Sequence, residues 1–221
     1  MTTGGGPVAG NKQVEKIKKA IVDLDLDNIA ALVKEAIASG ASRQDIIEGG
    51  MRDGMSEVGR RFEEGEYYLA ELVLAAETMK DGLAAVAAEA PGEAGPTKGT
   101  VVIATVKGDV HDIGKNLVGS TLTAAGYKVV DLGVDVPADE LIKAARDNDA
   151  SVVGISVLLT PMVGELGNTV RAFESAGLRD KVKIIIGGAC TSESLASEHG
   201  CDAFGKDAVE AVRLVDSLTG N

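Results

Sequence analysis

Beyond residue 99 the chain alternates short apolar runs with helical patterns, and this alternation leaves few folds open to it. Runs at 100–105, 128–131, 151–156, 183–186 and 201–204 are expected strands. Their nearly continuous apolar character suits strands buried on both faces of a sheet. Patterns at 113–125, 138–148, 162–176, 192–199 and 207–218 are expected helices. Strand–helix alternation builds a parallel sheet with helices on both faces. The expected fold class is therefore α/β, a five-stranded parallel sheet of flavodoxin- or Rossmann-like order. Ligands of such sheets bind outside the carboxyl ends of the strands, so the loops leaving those ends are where chemistry is sought.

The first ninety residues read differently. Residues 1–10 are glycine-rich and expected to form a disordered tail. Val14, Ile17, Ala20 and Ile21 make one helical stripe, and Ile29, Leu32, Val33, Ala36 and Ile37 a second. Ser42 with Asp45 is an N-cap pair opening a long third helix through Ile46, Met51, Met55, Val58 and Phe62. Leu69, Leu72, Val73, Ala76 and Met79 mark a fourth. Four amphipathic helices with short connections predict an antiparallel bundle over 11–90. The stretch Ala90-Pro91-Gly92-Glu93-Ala94-Gly95-Pro96 can continue neither neighbour. It places a linker at 91–98, with the second domain running over 99–221.

Composition narrows the partners. A net charge of −12 argues against nucleic acid and anionic membrane surfaces. Tryptophan is absent, so the core is aliphatic. Cys190 and Cys201 make no disulfide framework and are read as reduced. No signal peptide or membrane-length apolar run is evident, and a cytoplasmic location is expected.

One strand-to-helix loop concentrates the polar chemistry. It runs Thr105-Val106-Lys107-Gly108-Asp109-Val110-His111-Asp112-Ile113-Gly114-Lys115-Asn116. Gly108 and Gly114 permit tight turns and close ligand approach. A metal-ligating imidazole donates its second ring N–H to a partner, commonly a carboxylate, which fixes the tautomer. Asp109 is placed to serve His111 in that way. A capping aspartate and an incidental surface histidine would account for the triplet equally well.

Asp109-x-His111-x-x-Gly114 resembles the cobalamin-binding loop of corrinoid proteins and of cobalamin-dependent methionine synthase. Ser156-Val157-Leu158 is similar to the family's Ser-x-Leu, and Gly187-Gly188 to its Gly-Gly. The resemblance implies cobalamin or a related cobamide as cofactor, methylcobamide in the loaded state. It implies His111 on the cobalt in place of the cofactor's own base, with Asp109 behind it. Gly108, Val110, Asp112, Ile113 and Gly114 would line the loop. Ser156, Leu158, Thr160, Gly187, Gly188, Phe204 and Gly205 would line a slot for the nucleotide tail. The helical domain resembles the cap of methionine synthase, which implies that Phe62, Leu69 and Leu72 cover the cobalt and that Glu48 contacts the cofactor. One position departs from the family. A serine or threonine often extends the histidine–aspartate pair, and Met162 stands there instead.

A carrier of this kind shuttles a methyl group between a donor-specific methyltransferase and an acceptor methyltransferase, with tetrahydrofolate or a thiol as acceptor. A reductive activator protein is a third implied partner. The chain would be one component of a methyltransferase system and not a complete enzyme alone. Two other cobalamin readings and one further nucleotide reading are open. A subunit of an adenosylcobalamin-dependent mutase shares the loop, but mutases cover cobalt with a barrel. A cobalamin-based sensor needs a basic DNA-binding module and a cap tryptophan. A flavodoxin-like module for another nucleotide would leave Asp109 and His111 without a role.

Overall fold

The computed structural model describes residues 9–89 and 97–221. It forms two compact units, Met1–Pro96 and Thr97–Asn221. The expected tail up to residue 8 and the linker stretch 90–96 lie outside the described residues.

The first unit is helical: α1 (Ala9–Val22), α2 (Ile29–Ala38), α3 (Arg43–Asp45), a π-helix (Ile46–Arg52), α4 (Asp53–Glu63) and α5 (Leu69–Glu89). α1 takes in Ala9 and Gly10, which were expected to belong to the tail. Extending a formed helix by two residues costs little compared with nucleating it, so the stripe from Val14 carries its helix upstream. Ser42 caps α3 as expected, accepting the Asp45 N–H at 3.0 Å.

The expected long third helix is instead wound as a π-helix through its middle. Ile46 and Met51 are both fully buried and five residues apart, the reach of one π hydrogen bond. Gly50 and Gly54 let α1 lie close against this stretch. A Cβ on Gly50 would stand 3.0 Å from Ile17 Cγ2, and one on Gly54 would stand 2.8 Å from Ile21 Cβ. The corner between α4 and α5 is tied back to α1. Tyr67 donates its hydroxyl to the Val22 carbonyl at 2.6 Å. Arg61 donates to that hydroxyl at 3.1 Å and lies 5.3 Å from the ring centroid.

The second unit is a parallel sheet of β1 (Thr100–Thr105), β2 (Lys128–Asp131), β3 (Val152–Ser156), β4 (Lys183–Gly187) and β5 (Ala203–Phe204). The strand order is β2-β1-β3-β4-β5, the flavodoxin-like order expected. The crossovers are α6 (Ile113–Ala124), α7 (Ala138–Asp147), α8 (Gly164–Ser175) and α9 (Glu193–Glu198), and α10 (Ala208–Thr219) closes the chain. α8 starts later than the pattern suggested, because Thr160–Met162 forms a 3-10 turn first. Pro161 has no N–H to give a helix interior but suits a first turn.

Val101, Val102, Val152, Val153 and Ile184 are fully buried, so the three central strands are covered on both faces. Thr105 pairs with Ser156, and Ser156 with Gly187. Three central strands therefore end on one row. Their loops leave together at the β1–β3 junction, where the strand order reverses direction, which is where such sheets hold ligands.

Candidate functional site

Asp109 stitches the two loops at this junction together. Its side chain is fully buried. Oδ1 accepts the His111 backbone N–H at 3.1 Å and meets His111 Nδ1 at 2.7 Å. Oδ2 accepts the N–H groups of Leu158 and Leu159, in the loop after β3, at 2.7 and 3.0 Å. Burial alone would raise this carboxyl. Hydrogen bonds from the His111 imidazole and from the Leu158, His111 and Leu159 amides outweigh it and bring the pKa down to about 2. The group is an acceptor-only carboxylate at neutral pH, so His111 Nδ1 must be the donor. A neutral His111 then presents Nε2 as a lone pair, on a side chain 49% exposed.

Around this pair the loop is held by contacts that residue spacing did not reveal. Thr105, buried at the end of β1, donates its hydroxyl to the His111 carbonyl at 2.8 Å. A polar side chain closing a buried strand was the available signal. Lys115 is buried and donates to Asp131 Oδ1 at 2.7 Å and to Asn116 Oδ1 at 2.7 Å, which fixes the start of α6 against β2. Gly108 has φ +84°, and a Cβ there would stand 2.5 Å from Met162 Sδ. Met162 thus packs against Gly108. Two backbone amides, not a third hydroxyl, complete the carboxylate.

Gly187 and Gly188 end β4 where the chain passes close to its neighbours. A Cβ on Gly187 would lie 3.1 Å from the Gly205 carbonyl oxygen. Gly188, at φ +120°, would bring one to 2.1 Å from the Val157 carbonyl oxygen. Cys190 donates its thiol to that oxygen at 3.4 Å. Burial, then the Asp109 charge, push this thiol up. Ser156 and Thr160 make no side-chain hydrogen bond among the described residues, which leaves both hydroxyls available. Phe204, paired with Ile186 across β4 and β5, is half-buried at the rim of the core.

A cobamide fits this edge on three counts. No cluster of three or more His, Cys, Asp or Glu side chains suited to a metal ion exists among the described residues. One imidazole suits a metal whose other positions are filled by a macrocycle, and does not suit a free divalent ion. The loop around it carries exposed apolar side chains, Val110 at 68% and Ile113 at 77%, joined by Leu158 and Leu159 from the facing loop. Apolar groups held out at a functional edge mark a surface built for a partner. Finally, nothing lies within 4 Å of a Cβ built on Gly114. No neighbour in the chain requires glycine there, and Asp112 beside it is exposed.

The two kinds of glycine separate in a test. Gly114→Ala is expected to stabilise the cofactor-free protein by about 0.5–1 kcal/mol, since alanine is the better helix former. The same change is expected to weaken cobamide binding. Gly188→Ala is expected to cost the cofactor-free protein at least about 2 kcal/mol through backbone strain and the Val157 clash. Urea unfolding of both variants checks this. A destabilised Gly114→Ala would show that the glycine serves the fold.

In the helical unit the expected cap residues divide. Leu69 is 54% exposed, with Tyr68, Val73 and Leu74 exposed near it, and Phe62 is half-buried. Leu72 is buried, in phase with Ala75, Ala76 and Met79 on α5. Glu48 is exposed within the π-helix, 3.5 Å from Arg52.

Comparison with known proteins bears on both units. A family model described as a B12 binding domain matches residues 99–213, and a second of that description matches 13–87. A corrinoid protein of Desulfitobacterium hafniense is 37% identical, over 94% of this chain and 97% of its own. Trimethylamine corrinoid protein 1 of Methanosarcina acetivorans is 38% identical, over 93% of this chain and 96% of its own. Among solved structures, the methanol:cobalamin methyltransferase complex of Methanosarcina barkeri matches with a TM-score of 0.86 and 30% identity. It covers 96% of this chain and 81% of that chain. A cobalamin-binding protein of Desulfitobacterium hafniense matches with a TM-score of 0.76 and 31% identity, over 93% of this chain and 98% of that one. The chain belongs to the B12-binding corrinoid proteins of methyltransferase systems.

Proposed function

We propose that this chain is a methyl carrier, holding a cobamide with His111 on the cobalt and the cofactor's own lower base displaced. The observation that carries the reading is the buried Asp109, which spends one oxygen on His111 and the other on the loop after β3. That arrangement holds one imidazole, of defined tautomer, at the point where the sheet receives ligands. When bound, the cobamide supplies the nucleophilic cobalt that takes up a methyl group and gives it on. The chain's own residues bind, orient and shield. Asp109 keeps Nδ1 protonated and turns Nε2 outward. Val110, Ile113, Leu158 and Leu159 would keep water from the bound group. Gly187 and Gly188 let β4 close against Gly205 and the Val157 carbonyl, and the wall so formed, with Gly205, the Ser156 and Thr160 hydroxyls and Phe204, would hold the nucleotide tail. In the helical unit, Phe62, Leu69 and Leu72 would be the apolar residues, and Glu48 the polar one, that contact the cofactor.

The partners are a donor-specific methyltransferase, an acceptor methyltransferase using tetrahydrofolate or a thiol, and a reductive activator. Relatives named for trimethylamine and dimethylamine corrinoid proteins, and a neighbour solved within a methyltransferase complex, support this reading over a mutase subunit or sensor. The full chain, loaded with cobamide and reduced, is expected to acquire the spectrum of a methylated corrinoid only when a methylamine or methanol and its methyltransferase are both supplied. A second methyltransferase with its acceptor should reverse the change. Failure with every such pair, in protein that binds cobamide, would contradict the carrier role.

A further inference from the structure

The loop after β2 grips the His111 loop through a residue outside the family's Asp-x-His-x-x-Gly motif. Asp135 accepts the Gly108 N–H on Oδ1 at 2.7 Å, and its own N–H donates to the Asp109 carbonyl at 2.9 Å. Both ends of the Gly108–Asp109 peptide segment are thus held by one residue. Asp135 adopts φ +56°, a left-handed conformation uncommon for a residue with a side chain. Such an outlier persists where its surroundings over-determine it. Here they do. Val136 bridges Val106, its N–H donates to the Thr105 carbonyl at 3.1 Å, and Thr105 N–H donates to the Gly133 carbonyl at 2.9 Å.

We infer that Asp135 is a positioning residue for the cobalt ligand, acting through Asp109. Two constraints fix where Asp109 stands. Its carboxylate is anchored to the amides of Leu158 and Leu159, and its backbone is anchored through its carbonyl to the Asp135 N–H and through its N–H to the Val106 carbonyl at 3.1 Å. His111 follows Asp109, because Oδ1 holds both its ring and its backbone N–H. The Oδ1 of Asp135 adds the last restraint. It immobilises the Gly108 peptide, whose left-handed φ of +84° otherwise leaves it free to swing. Without that acceptor the Gly108 N–H loses its partner, the Asp109 main chain keeps only its bonds to the Val106 carbonyl and the Asp135 N–H, and the imidazole is presented over a spread of positions. The inference rests on the reading of His111 as cobalt ligand.

The test uses the full chain in four forms: wild type, Asp135→Asn, Asp135→Ala and Asp135→Gly. Each is titrated with hydroxocobalamin, then reduced to cobalt(II) and examined by electron paramagnetic resonance, with and without nitrogen-15 in the protein. Asparagine keeps an acceptor for Gly108 and tolerates the left-handed backbone, so it should bind within about twofold of wild type. Glycine keeps the backbone conformation and the bond to Asp109 while removing the acceptor. The Gly and Ala forms should bind roughly tenfold more weakly. In both, part of the signal should lose its label-sensitive splitting. The Gly form carries the result if the Ala form fails to fold. A Gly form with wild-type affinity and full splitting overturns the assignment, and so does an Asn form as weak as the Gly form, since charge would then be what matters. A wild-type splitting that ignores the label overturns His111 ligation, and this inference with it.

Discussion

Replacing His111 with alanine is expected to weaken cobamide binding by roughly 100-fold or more and to leave the sheet folded. Losing even an outer partner of a metal ligand costs roughly 10–100-fold, so losing the ligand costs no less. The fold tolerates the change because of how the loop is held. Thr105 binds the backbone carbonyl of residue 111, and Asp109 binds its backbone N–H, so both contacts survive in an alanine. The side chain itself is half-exposed. The cofactor-free variant should therefore lose only about 1.5–3 kcal/mol, the net worth of one hydrogen bond to a charged group. Titration with hydroxocobalamin and urea unfolding measure the two quantities. A variant that binds as tightly as wild type would sink the ligand assignment, and one that unfolds outright would show that His111 is structural.

Asp109→Asn is expected to do the reverse, damaging fold and site together. The carboxylate receives four donors, two on each oxygen. Asparagine has one acceptor oxygen and one NH2. Turned toward Leu158 and Leu159, its oxygen satisfies them and its NH2 faces the His111 amide and ring nitrogen. Turned the other way, the NH2 faces two amides that cannot reverse. Either orientation strands buried donors at about 1–3 kcal/mol each, so the cofactor-free protein should lose about 4 kcal/mol. Cobamide affinity should fall roughly 10–100-fold as well, since the imidazole loses its orienting partner. An unchanged urea midpoint would mean that the β1 and β3 loops are held by something other than this carboxylate.

The sheet was legible because its signal is redundant. Five apolar runs, each followed by a helical stripe, leave one architecture, and β1 and β2 fall on the expected residues. The ligand pair was legible for a different reason. Asp109 and His111 are two residues apart, so local spacing brings them within reach whatever the rest of the fold does. What stayed hidden needs the third dimension. The Leu158 and Leu159 contacts use backbone amides, which every residue possesses and no side chain advertises. Asp135 reaches Gly108 across 27 positions, through a register set only when β2 pairs with β1. The π-helix escapes a hydrophobic spacing of 3.6 residues per turn. Between Ile46 and Met51 the winding is looser, where Gly49 and Gly50 sit beside α1. Leu72, which the resemblance implies as a covering residue, is buried in phase with Ala75, Ala76 and Met79, a placement that hydrophobic spacing alone also marks.

The cobalt–histidine bond is the claim on which the rest depends, and one spectrum addresses it directly. The wild-type chain is prepared with and without nitrogen-15, loaded with a cobamide and reduced to cobalt(II). The expected electron paramagnetic resonance spectrum shows splitting from one axial nitrogen, and the pattern changes with the protein label. Label-independent splitting would assign that nitrogen to the cofactor's own base and contradict the placement of His111 on the cobalt.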